Sequence, residues 1–226
     1  MMAFIHEIAP NLERASGHLT QSFFQTVQMV TGAGVISFVF GIIFGVCLVV
    51  TRPGGIFQNL VFYNVLDKVI NIIRSVPFLI LIILLIPLTR MIMGTAIGVQ
   101  GALVPLVFAT VPFFARQVET AVSEVDSGLI EASAAMGMSP VQIIWRVYLR
   151  ESIPALVRVT QITIINLINL ATLAGAIGAG GLGDFAIRFG HQQRMGDLLW
   201  ITIIIILLMV SLVQGIGNII IKRTTR

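Results

Sequence analysis

A chain of 226 residues, 57% of them hydrophobic and only 11% charged, with a mean hydropathy of +0.99, is too apolar for a soluble domain. Its formal net charge of +4 calls for no nucleic-acid partner, because basic residues sorted to one side of a membrane account for it. The composition therefore predicts an all-α membrane protein.

The first twenty residues carry Arg14 beside Glu7 and Glu13, without a basic start, apolar core and small-residue cleavage site, so no cleaved signal is expected. Crossing about 30 Å of hydrocarbon takes roughly 20 apolar residues. Five runs meet that length, at about 27–50, 69–88, 91–115, 153–176 and 198–221. The second and third are nearly contiguous and predict a tight hairpin. Cys47, the single cysteine, lies in the first run and reads as a small packed hydrophobe. Gly41/Gly45 and Gly94/Gly98 have the small-xxx-small spacing that lets helices approach closely.

Basic residues are enriched in loops that stay inside. With five spans, Arg52, Lys68, Arg74, Arg116, Arg146, Arg150, Arg158, Lys222, Arg223 and Arg226 fall on one side, and Arg14, Arg90, Arg188 and Arg194 on the other. Ten against four predicts an N-terminus outside and a C-terminus in the cytoplasm, with residues 117–152 inside. Arg74 and Arg158, near the inner ends of their runs, read either as interfacial anchors or as pathway residues.

Several chemistries are missing from the sequence. Neither lysine, Lys68 or Lys222, sits in a G-x-x-x-x-G-K-[ST] frame, so the chain has no P-loop. His6, His18 and His191 have no partners at metal-ligand spacing, and no run holds a central carboxylate pair or ion relay. Catalytic, cofactor and metal sites are therefore not expected. The stretch "GAGGLG", Gly178 to Gly183, fits G-x-G-x-x-G but follows an apolar helix rather than a strand, and reads as backbone freedom where a helix ends.

The inner connection "EVDSGLIEASAAMGMSP" is the most informative stretch. Asp126 or Ser127 can cap a short helix at about 128–136, and Gly137 can stop it. Ser139, Pro140 and Gln142 then form an S-x-x-Q capping box that restarts the chain as a second helix. The run Ala132, Ser133, Ala134 and Ala135 offers little apolar area, and Glu131 is the only charge. Interfacial helices pair Lys or Arg with bulky apolar residues, so a groove on another protein suits this helix better than lipid headgroups.

These residues resemble the EAA signature of bacterial ABC importer permeases, with Glu131, Ala132 and Gly137 matching E-A-A-x3-G. Ser133 stands for the third small residue, and Arg150 stands where a proline is common. "TRPGG", "NIIRSVPF", "PLTRMIMGTAIGVQGALVPL" and "GAIGAGGLG" extend the resemblance to the permease subunit of methionine ABC importers, over most of 27–183. The resemblance implies a type I ABC importer permease fold as a single domain over 1–226, in the bacterial inner membrane. It also implies a homodimer, two separate ATPase subunits that bind ATP and Mg, a substrate-binding lipoprotein on the outer side, and methionine as cargo. The coupling residues it implies are Gly128, Leu129, Glu131, Ala132, Ser133, Gly137, Met138 and Ser139.

In the fourth run Thr163, Asn166, Asn169 and Thr172 recur every third residue on one broad face. They serve either interhelical hydrogen bonding or a polar translocation pathway, and Leu173 could close such a path. Alternatives to the methionine reading are a related amino-acid or osmoprotectant importer, although no aromatic cluster forms a cation cage, and a passive channel or docking scaffold.

Overall fold

The structure, a computed structural model, describes residues 11–224; His6, Glu7 and Arg226 lie outside them. All regular elements among these residues are helical. In chain order they are α1 (Leu12–Thr51), α2 (Leu60–Ser75), α3 (Phe78–Leu84), α4 (Ile86–Met93), α5 (Gly98–Ser123), α6 (Ser127–Ala135), α7 (Pro140–Ile143), α8 (Leu149–Glu151), α9 (Ile153–Ala174), α10 (Gly181–Phe185) and α11 (Gly196–Thr224). Single π-helical stretches, Ile144–Tyr148, Gly175–Ala179 and Ala186–Gln192, lead out of α7, α9 and α10.

Four helices among the described residues are long and apolar enough to cross a membrane: α1, α5, α9 with its π extension, and α11. The run 69–88 is not one helix, and this corrects the sequence expectation. Val76 is extended (φ −82°, ψ 123°) because the ring of Pro77 disfavours helical geometry in the residue before it. A second break at Leu85 separates α3 from α4. The expected span 91–115 is also interrupted, since Gly94 (φ 74°) ends α4 in left-handed geometry and α5 begins only at Gly98 (φ 73°).

The residues group into two compact units, to which the long helices contribute different parts. In the first (1–35, 77–107, 164–213), Met29 and Ala33 of α1, Ala102 and Leu106 of α5, and Leu167, Ala171 and Ala174 of α9 form one buried cluster. Ala15, Phe185 and Leu198 form another. The Asp197 carboxylate, at the start of α11, accepts the Asn11 backbone N–H at 3.0 Å and its side-chain amide at 3.1 Å, at the end of a helix dipole that favours negative charge.

In the second unit (36–76, 108–163, 214–226) the core is Val49 of α1, Phe114, Val118 and Val122 of α5, and Ile143, Val147 and Tyr148. A Cβ on Gly45 would lie 2.6 Å from the Ala115 carbonyl and from Val118, so the absence of a side chain sets the α1–α5 distance. Gly94 and Gly98, the other pair with this spacing, have open space around them and serve the turn instead. Arg116 binds α2 to α5 by donating to Asp67 at 2.6 Å and Asn71 at 3.0 Å, and it also reaches Glu119 at 2.6 Å.

Candidate functional site

Helix α6 is held at both ends by local hydrogen bonds. The Asp126 carboxylate accepts the Gly128 N–H at 2.6 Å, satisfying one of the free donors of the first turn. At the other end Gly137 adopts φ +82°, a conformation that costs an L-residue about 1–2 kcal/mol. It thereby lets the Gly137 N–H reach the Ala134 carbonyl at 3.0 Å and the Met138 N–H reach that of Ser133 at 3.2 Å. These two bonds are the Schellman closure. The capping box follows as its spacing predicts: Ser139 Oγ accepts the Gln142 N–H at 3.3 Å, and Gln142 Oε1 accepts the Ser139 N–H at 2.9 Å.

One side of α6 packs inward. Ile130 and Met138 lie against the cluster of Val49, Phe114 and Tyr148. Ser133 is buried and donates to its own helix at the Leu129 carbonyl, 2.7 Å away, so it lies under the helix rather than on its outer face. Gly128, Leu129, Glu131, Ala132, Ala135, Met136 and Gly137 are exposed. Among the described residues the Glu131 carboxylate has no partner. The outer face is thus low in profile and carries one acidic charge, with Met136, 74% exposed, as a projecting apolar tip. No sequence pattern points to the anchor Ile130; for Met136 the available signal was its position one residue before the glycine stop.

A cavity of about 320 Å³ opens beside the start of α6, lined by Glu124, Asp126, Leu129, Glu151 and Arg158 among others. Its carboxylates come from positions 27 residues apart in the chain (124 to 151), which no local pattern joins. After Arg150, Ser152 (φ −83°, ψ 0°) caps α8, its hydroxyl donates to the Tyr148 carbonyl at 2.6 Å, and Pro154 lies in the first turn of α9. Burial pushes the Tyr148 phenol above its usual range, against an opposing pull from the Arg52 charge.

On α9 the hydroxyls of Thr163 and Thr172 donate to carbonyls of their own helix, Val159 at 2.8 Å and Ile168 at 2.9 Å. They are therefore committed within the helix. Asn166 is half-buried and Asn169 exposed, and neither amide has a hydrogen-bond partner among the described residues. Leu173 is 45% exposed. Among the described residues, none of these side chains hydrogen-bonds to another helix.

Among known proteins, the family model for the binding-protein-dependent transport system inner membrane component matches residues 37–226. The probable D-methionine transport system permease protein of Vibrio cholerae is 40% identical over 205 residues, 91% of either chain. The D-methionine transport system permease protein of Escherichia coli K12 is 48% identical over 139 residues, 62% of this chain and 64% of that one. A solved inward-facing structure of the MetNI methionine ABC transporter superposes with a TM-score of 0.92 at 41% identity, covering 95% of this chain and 99% of that chain. Helical architecture and long apolar spans agree with these matches, and the chain belongs to the family of binding-protein-dependent transport system inner membrane components.

Proposed function

We propose that this chain is the membrane-spanning subunit of an ATP-driven methionine importer of the bacterial inner membrane. It works as a homodimer with two ATPase subunits beneath α6 and a methionine-binding lipoprotein on the outer side. The observation that carries the reading is the outer face of α6: exposed, small and acidic on a helix fixed at both ends, it is suited to entering a groove and passing on a push. The relatives named for methionine transport support the cargo. ATP and Mg belong to the partner subunits, and this chain contributes no hydrolytic chemistry of its own.

Five crossings fit this reading, the second being completed by the broken α2–α4 run. Ile80, Ile83 and Leu84, each more than half exposed on the isolated chain, are then covered by lipid or by the second copy. The ten-to-four division of basic residues supports an outer N-terminus and a cytoplasmic C-terminus. The eight coupling residues have two kinds of work: Gly128, Leu129, Glu131 and Ala132 meet the ATPase, while Ser133, Gly137, Met138 and Ser139 hold the corner that presents them. Driving the pore from 1:99 to 99:1 between its inward-open and outward-open states takes about 5.5 kcal/mol of differential stabilisation, delivered through this contact. Asn166 and Asn169, with Thr163 and Thr172 on the same helix face, line the pathway, and Leu173 closes it.

Purification of the tagged chain from native membranes in mild detergent tests the reading. Two copies with two ATP-hydrolysing chains, taking up methionine only with ATP and the binding protein, is the expected result. A bare chain inactive toward ATP in several mild detergents overturns it in favour of a channel or scaffold.

A further inference from the structure

A second cavity, of about 330 Å³, lies in the unit that contains the start of α1 and the "GAGGLG" turn. That is at the low end of the roughly 300–1,000 Å³ typical of small-ligand clefts. Its lining combines Asp184, Arg188, His18, Gln21, Gln25 and Phe189. The balance of groups differs from the acid-rich cavity beside α6: here one carboxylate and one guanidinium stand beside neutral amides and an aromatic wall.

Three features suit this arrangement to a small zwitterion. Asp184 and Arg188 are one helical turn apart and bonded at 3.1 Å, with the Arg188 side chain 60% exposed. A pair of this spacing, exposed at Arg188 and half-buried at Asp184, contributes little to stability, so it can open and exchange partners. A carboxylate would then take Arg188, which offers paired donors, while an ammonium takes Asp184. Phe189 is fixed between Phe185, with ring centroids 4.8 Å apart, and His18, at 5.3 Å. It forms a rigid apolar wall, against which a thioether sulfur packs favourably. Gln25 is immobilised because its Oε1 accepts the Gly181 N–H at 2.8 Å.

We infer that this cavity is a receiving site for a free α-amino acid, bound through its carboxylate at Arg188 and its ammonium at Asp184. The inference rests on the importer reading, under which the cavity lies on the outer side and meets cargo released by the binding protein. It adds a site on the permease itself, before the pathway along α9.

The test uses the permease–ATPase complex in nanodiscs without binding protein, irradiated with the diazirine analogue of methionine and mapped by mass spectrometry. Labelling of the segments 18–25 and 178–189 is expected, competed by methionine but not by methioninol, which lacks the carboxylate, or by 4-(methylthio)butanoate, which lacks the ammonium. Arg188→Gln should weaken methionine competition roughly tenfold to a hundredfold and erase its advantage over methioninol. Asp184→Asn should do the same relative to 4-(methylthio)butanoate. Misfolding cannot produce these two separate crossings. Absence of competed labelling in both segments overturns the site, as does a defect in the two variants confined to capture of the binding protein, which would make the cavity a protein contact. ATP-driven uptake by the full system, measured in parallel, reports on the importer reading independently.

Discussion

The Met138 N–H donates to the Ser133 carbonyl at 3.2 Å, over a Gly137 whose φ of +82° allows the chain to turn back there. No atom lies within 4 Å of where a Gly137 Cβ would be, so substitution costs backbone strain without a clash. Gly137→Ala should destabilise the corner by about 1–2 kcal/mol, and Gly137→Asn by less, because asparagine tolerates left-handed geometry. Limited proteolysis of 127–139 in the purified complex should rank glycine, asparagine, alanine from slowest to fastest cleavage, with ATP-driven uptake falling in the same order. Equal cleavage of all three would contradict the role given to this closure.

Glu131 stands on the outer face of α6 with no partner among the described residues. Glu131→Arg should therefore leave expression and thermal unfolding unchanged, within about 0.5 kcal/mol as for surface positions generally. If Glu131 meets the ATPase as proposed, uptake and the number of methionines carried per ATP should collapse, because the charge at that contact is reversed. Normal uptake by this variant would remove Glu131 from the coupling contact.

The corner around α6 was legible because capping is local: Asp126, Gly137, Ser139 and Gln142 act over three or four residues, and sequence spacing contains that information. Which face of α6 turns inward was not legible. All nine residues of α6 except Glu131 are small or apolar, so its amphipathic pattern is weak, and Ser133 is buried on the side where Ile130 and Met138 pack. Hydropathy also joined 69–88 into one span, since it counts apolar side chains and is blind to the extended geometry that Pro77 imposes on Val76. The same counting placed the first span at 27–50, although α1 starts at Leu12; the polar residues Ser16, His18, Gln21 and Gln25 dilute its first turns. The contact from Gln25 to Gly181 spans 156 residues of sequence, beyond any local signal.

Next to it, Thr26 Oγ1 accepts the buried Leu182 N–H at 2.8 Å. Gly180 and Gly181 both have positive φ, so this turn depends on α1 for its hydrogen bonds. Thr26→Val keeps the shape but strands a buried donor, at a cost of about 1–3 kcal/mol. The unfolding midpoint of the purified complex should fall for Thr26→Val and stay near wild type for Thr26→Ser, which retains the hydroxyl. A matching fall in both would point to the methyl group instead.

Leu173, 45% exposed on the isolated chain, sits two turns from Asn166 on nearly the same side of α9. If two such leucines from the two copies seal the pathway, Leu173→Gly removes the apolar plug while leaving Asn166 and Asn169 available to solvate cargo. Vesicles carrying the Leu173→Gly complex should then admit methionine without ATP, whereas Leu173→Ile, which keeps the apolar volume, should remain sealed. Should Leu173 instead only pack one helix against another, the glycine variant would weaken the dimer in detergent and leave the vesicles tight. The leak and the dimer dissociation constant, measured on the same preparation, separate a gate from a packing contact.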